Sequence, residues 1–270
     1  MNYDQIEFTE FIRNNSDKLL WTRLSENPYT VKILEENPTK ICWDMLSSNP
    51  AAIHLIEANL DKISWTNLSI NPAAIHIIEA NLDKIDWCLL SCNQEAIHIL
   101  KENQNKIYWN SLSSNINAIE ILEANLDKIN WHILSGNTGA IKILSENLDK
   151  IDWGVLSNNP ATIHLLEENP NKIDWTILSI NLGAINLLEE NQDNIYWKIL
   201  SRNSSAIKLL ENNLDKVDWT YLSSNPAAFH ILEANPTKIN WNCVFYYDPI
   251  YKKYDNYLKY IGQSNEYILK

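Results

Sequence analysis

Apolar and polar positions along the chain repeat with a single period. Written from a recurring Asn, the unit is N-P-x-A-I-x-L-L-E-x-N-x-D-K-I-x-W-x-x-L-S-x, 22 residues long. Ten units follow without insertion, starting at Asn27, Asn49, Asn71, Asn93, Asn115, Asn137, Asn159, Asn181, Asn203 and Asn225. Positions are numbered here from that Asn. Apolar residues at positions 4, 5, 7 and 8 (Ala52, Ile53, Leu55 and Ile56 in the second unit) fall on one helical face. A second helix is predicted through the Lys-Ile-x-Trp-x-x-Leu-Ser stretch that follows.

Asn and Pro place the boundaries. Asn at position 1 is a good N-cap, and Pro at position 2 suits a first helical turn. Asn at position 11 reads as a left-handed C-terminal cap. Pro follows it in Asn37-Pro38, Asn169-Pro170 and Asn235-Pro236, so the second helix starts either at position 12 or at position 16. Position 16 is itself often a capping type: Ser64, Asp86, Asn130, Asp152, Asp174 and Asp218. Leucine-rich repeats share this period, but their leucines would fall on Ala51, His54, Glu95 and His98, and the prolines would interrupt their strand.

One unit cannot bury its apolar stripe alone, whereas stacked neighbours can. The predicted fold is therefore an all-α solenoid of ten two-helix repeats in one continuous domain. Residues 1–26 form an N-terminal cap and half-repeat, 27–246 the array, and 247–270 a Tyr-rich C-terminal cap. In that last segment Asp248-Pro249 starts a helix carrying Ile250, Tyr254, Tyr257, Leu258 and Ile261.

The 11 Trp all occupy position 17, one per layer, with Ile before and Leu after, a context that predicts core packing. Only 5 Gly are present, and no phosphate-cradling Gly motif occurs. With 34 acidic against 22 basic residues the net charge is -12, which disfavours nucleic acid and anionic membranes as partners. No apolar run approaches the ~18 residues that span a bilayer. The start, Met1-Asn2-Tyr3-Asp4-Gln5, lacks a signal-peptide pattern. Four Cys make no disulfide framework, which points to a reducing, intracellular setting.

Residues that repeat in every layer read as scaffold. Ser at position 21 recurs too often to be a nucleophile, and the Asn ladders read as caps. His54, His76, His98, His164 and His230 share position 6, which holds Lys, Glu or Asn elsewhere and therefore faces solvent; no metal or other cofactor is expected. Glu at position 9 and Lys at position 14 suggest an ion-pair ladder between layers.

Positions 3, 6, 10, 18 and 22 vary freely. Positions 18, 22 and the next unit's 3 would form one ridge if the second helix continued that far. It would carry Thr66 and Ile70, Cys88 and Cys92, Thr176 and Ile180, and Lys198 and Arg202. Tyr108 and Tyr196 replace small caps at position 16. These ten residues are the candidate protein-binding surface.

Tandem units of the form W-x-x-L-S-x-N-P-x-A-I-x-L-L-E-x-N resemble the short helical repeat proteins of giant DNA viruses of amoebae, the mimivirus relatives. The resemblance covers residues 15–241. It implies an α-solenoid that binds host or viral proteins, in the host cytoplasm or the virion, and supplies no catalytic residue. The function expected is a non-enzymatic protein-interaction scaffold. The alternative is a structural or assembly component that self-associates through its ends.

Overall fold

The computed structural model describes residues 20–244. Of the expected N-terminal cap only its last residues, from Leu20, are described, and the C-terminal cap lies outside the described residues. The chain divides into two compact units with the boundary after Gly139. Each is an all-α solenoid stack, and no strand occurs among the described residues, which excludes a leucine-rich-repeat architecture.

The helices are shorter than the apolar pattern suggests. In repeat 2 a 3-10 turn, Pro50–Ala52, leads into the α-helix Ile53–Glu57, and the second α-helix is Trp65–Leu68. Helices of about one turn are not stable in isolation, so cross-repeat contacts must hold them. The choice between position 12 and position 16 resolves at the latter. Pro38–Lys40 and Pro170–Lys172 are separate 3-10 turns, and the second α-helix begins at Trp. The carboxylate of Asp86 accepts the N–H groups of Cys88 and Leu89, as an N-cap should.

The left-handed cap expected at position 11 is corrected. Asn37, Asn103 and Asn235 have φ of -133°, -121° and -133°. The side-chain amide does the work instead: Asn37 Nδ2 donates to the Ile33 carbonyl at 2.9 Å, and Asn235 Nδ2 to that of Ile231 at 2.9 Å. An Asn can reach back to an orphan carbonyl in this way without adopting the conformation a Gly would need.

The innermost layer is aliphatic. Ala74, Ile78 and Leu90, from positions 4, 8 and 20, are fully buried, as are their counterparts in the second unit, Ala184, Leu188 and Leu200. Trp is not part of it: every described Trp is half-buried, which corrects the core placement read from its neighbours.

Two buried polar ladders lie beside the aliphatic core. Asn71 Oδ1 accepts the Ala73 N–H at 3.0 Å, the predicted cap. Its amide also donates to the Ser47 and Asn49 carbonyls of the preceding turns, at 3.0 and 3.2 Å. Ser69 Oγ donates to the Trp65 carbonyl at 2.8 Å and accepts the Asp86 N–H of the next repeat at 2.8 Å. The second unit repeats the arrangement, with Ser179 between Trp175 and Tyr196 at 2.7 and 3.0 Å. Both residue types are buried with their polar atoms paired, which is the condition for burial without a large penalty.

In two repeats position 3 is closely approached by its neighbours. A Cβ on Gly139 would stand 2.7 Å from the Ile116 carbonyl oxygen, and one on Gly183 3.0 Å from Pro160 Cβ.

Candidate protein-binding surface

The half-buried Trp rings build the first surface feature. The position-14 lysine of one repeat lies over the Trp of the repeat before. Lys62 Nζ is 5.1 Å from the Trp43 ring centroid, and Lys84 is 4.8 Å from Trp65. In the second unit Lys216 and Lys238 stand 4.7 and 4.6 Å from Trp197 and Trp219. Lys84 Nζ also donates to Asn81 Oδ1 at 3.0 Å, which fixes the ammonium over the ring. Among the described residues Trp87, Trp153 and Trp175 carry no such cation. Lys106 and Lys172 occupy position 14 opposite the first two, but opposite Trp175 that position is Asn194.

The expected ion-pair ladder exists with different partners. Glu at position 9 meets position 6 of the next repeat, 19 residues on: Glu35 with His54 at 2.8 Å, Glu57 with His76 at 2.8 Å and Glu79 with His98 at 2.5 Å. Glu211 pairs with His230 in the same way. Where position 9 is Lys101, position 6 is Glu120, and the pair forms with reversed polarity at 2.5 Å. The Lys101 ammonium, by hydrogen bond and charge, holds the Glu120 carboxyl below its ordinary pKa. The position-6 histidines are exposed, as predicted, and no group of three or more His, Cys, Asp or Glu converges as a metal site among the described residues.

The predicted ridge is interrupted. Asn71 has φ -73° and ψ 112°, an extended conformation that ends the helix before position 3 of the next repeat. Positions 18 and 22 do share a face, but in two repeats they close on position 19 of the following one. Cys88 Sγ lies 3.2 Å from Ser111 Oγ, and Cys92 Sγ donates to the Ser111 carbonyl at 3.8 Å. Lys198 and Arg202 stand 5.3 and 5.6 Å from the Tyr221 ring centroid. Both cysteines are free thiols and half-buried, whereas Thr66, Ile70, Thr176, Ile180, Lys198 and Arg202 are exposed.

Tyr108 and Tyr196 are the clearest departures from the repeat. Neither makes a side-chain cap, and they are 54% and 48% exposed. Tyr108 lines an open cavity of about 580 Å³ with Trp87, Lys106 and Asp86. Sequence reading missed Leu182, which stands where the unit has Pro and is 56% exposed; its place beside the buried Asn181 was the available signal. Among the described residues no helix is long and apolar enough to cross a membrane. Comparisons with protein-family models, curated proteins and solved structures gave no match.

Proposed function

We propose that the protein is a non-enzymatic protein-interaction scaffold, with its repeat ladders given to structure and its departures from the repeat given to binding. One observation carries this reading. Tyr108 and Tyr196 replace helix caps, each worth ~1 kcal/mol, by exposed aromatic rings. Ile70 is also exposed in the first unit, and Ile180 and Leu182 in the second. Large apolar groups clustered on a surface are the usual mark of a partner site. The recurrent Ser and Asn that might suggest chemistry are engaged in bonds between repeats, as are His54, His76, His98 and His230. The likeness of the unit to repeats of giant amoebal viruses adds host or viral proteins inside the cell as the partner class.

The test is affinity capture from host lysate with the wild-type chain and two variants, Ile70→Glu with Tyr108→Ser and Ile180→Glu with Tyr196→Ser. All four side chains are exposed, so the variants are expected to fold. Loss of captured proteins in either variant supports the reading. An identical set from all three chains, or none from the wild type, contradicts it.

A further inference from the structure

The Trp ladder shows what these rings accept. In Trp43, Trp65, Trp109, Trp197 and Trp219 the ligand is a lysine ammonium 4.6 to 5.1 Å from the centroid. From Trp21 to Trp219, Trp175 is the ring whose position-14 partner is not Lys; it is Asn194. Three other departures lie near it in the sequence. Tyr196 abandons its cap and is 48% exposed, and Leu182 and Ile180 of the same stretch are exposed. The equivalent pair in the first unit, Trp87 and Tyr108, lines one cavity, so a Trp and the next repeat's position-16 Tyr can wall a common space. Trp175 and Tyr196 hold the same register positions. Asp174 lies beside this pair in the sequence, Glu190 and Asp193 are exposed nearby in the chain, and the net charge is -12. Lys172, Lys198 and Arg202 are also near in the chain, the last two beside the Tyr221 ring; the ring faces and the net negative charge of the chain favour a cation and disfavour phosphate.

We propose that Trp175 and Tyr196 form a receptor for a lysine side chain of a basic segment in the partner protein. The partner's ammonium takes the place that the chain's own lysine takes over Trp43, Trp65, Trp109, Trp197 and Trp219. The proposal rests on the scaffold reading and names the chemistry of its partner.

The test uses the full chain and a fluorescein-labelled (Gly-Lys)4 amide, with (Gly-Gln)4 amide as the neutral control, followed by anisotropy at physiological salt. The variants are Asn194→Lys, which supplies the residue the other repeats carry; Tyr196→Ser, which restores a capping type; and Asn158→Lys, an equal charge change at an exposed position of the same unit. The wild type is expected to bind the lysine peptide over the glutamine peptide. Asn194→Lys and Tyr196→Ser should each weaken it about fivefold or more, and Asn158→Lys less than about twofold. Equal binding of the two peptides by the wild type overturns the proposal, and so does an equal loss in Asn194→Lys and Asn158→Lys. Lysine-peptide binding at this site without any capture from lysate would remove the scaffold reading alone; capture without lysine selectivity would remove only the lysine receptor.

Discussion

The step from Trp65 to Asp86 and the step from Trp175 to Tyr196 occupy the same register in different units. Both place a buried Ser hydroxyl between the Trp carbonyl and the next repeat's position-16 N–H. They differ at the surface. The first has Lys84 over its ring and a carboxylate cap at Asp86. The second has Asn194 in place of the lysine and an exposed Tyr in place of the cap. The backbone of the repeat is thus fixed by inner polar bonds, and its outer residues can be exchanged without disturbing the stack. That separation lets a strictly periodic chain carry local, non-periodic surface.

The largest expected effect probes what the two regions share. Asn71→Ala removes a cap and two bonds to carbonyls, that of Ser47 and that of Asn49, which keeps the Ala52 N–H, so it should lower stability by about 3 kcal/mol. Asn181→Ala, which loses the cap and the 2.9 Å bond to the Ser157 carbonyl, should cost about 2 kcal/mol. Urea unfolding measures both, and a loss below about 1 kcal/mol in either would break the equivalence of the units. Next in size is the surface difference itself. Tyr196→Asp should restore a cap and add about 1 kcal/mol, and Asp86→Tyr should remove a similar amount. The smallest effect lies in the ion-pair ladder. The Glu120 pKa is lowered in the folded state by Lys101, so its contribution is fully present above the unfolded-state value and is lost as pH falls through the lower folded value. Glu120→Gln should flatten that part of the acid limb of a stability–pH curve; an unchanged curve would show the pair to be without consequence.

The period, the all-α class and the caps at positions 1 and 16 were legible because capping chemistry and helical spacing are local. The bonds between repeats were not, since a buried Ser accepting an N–H from the next layer leaves the same sequence trace as any invariant small residue. Trp with its Ile and Leu neighbours looked like core; only stacking shows that the ring edges out under a lysine. The ladder between positions 9 and 6 did leave a signal. Lys at position 9 occurs at Lys101, and the acidic residue at position 6, Glu120, follows 19 residues later. The candidate ridge does not extend to position 3 of the next repeat, because Asn at position 1 has an extended backbone that stops the helix.

Unfolding of Asn194→Lys by urea, beside Lys84→Met, tests most directly whether Trp175 is a rung of the same ladder. If it is, the added lysine raises stability by about 0.5–1 kcal/mol and the removed one lowers it by a similar amount. A destabilised or unchanged Asn194→Lys, beside a destabilised Lys84→Met, would contradict it.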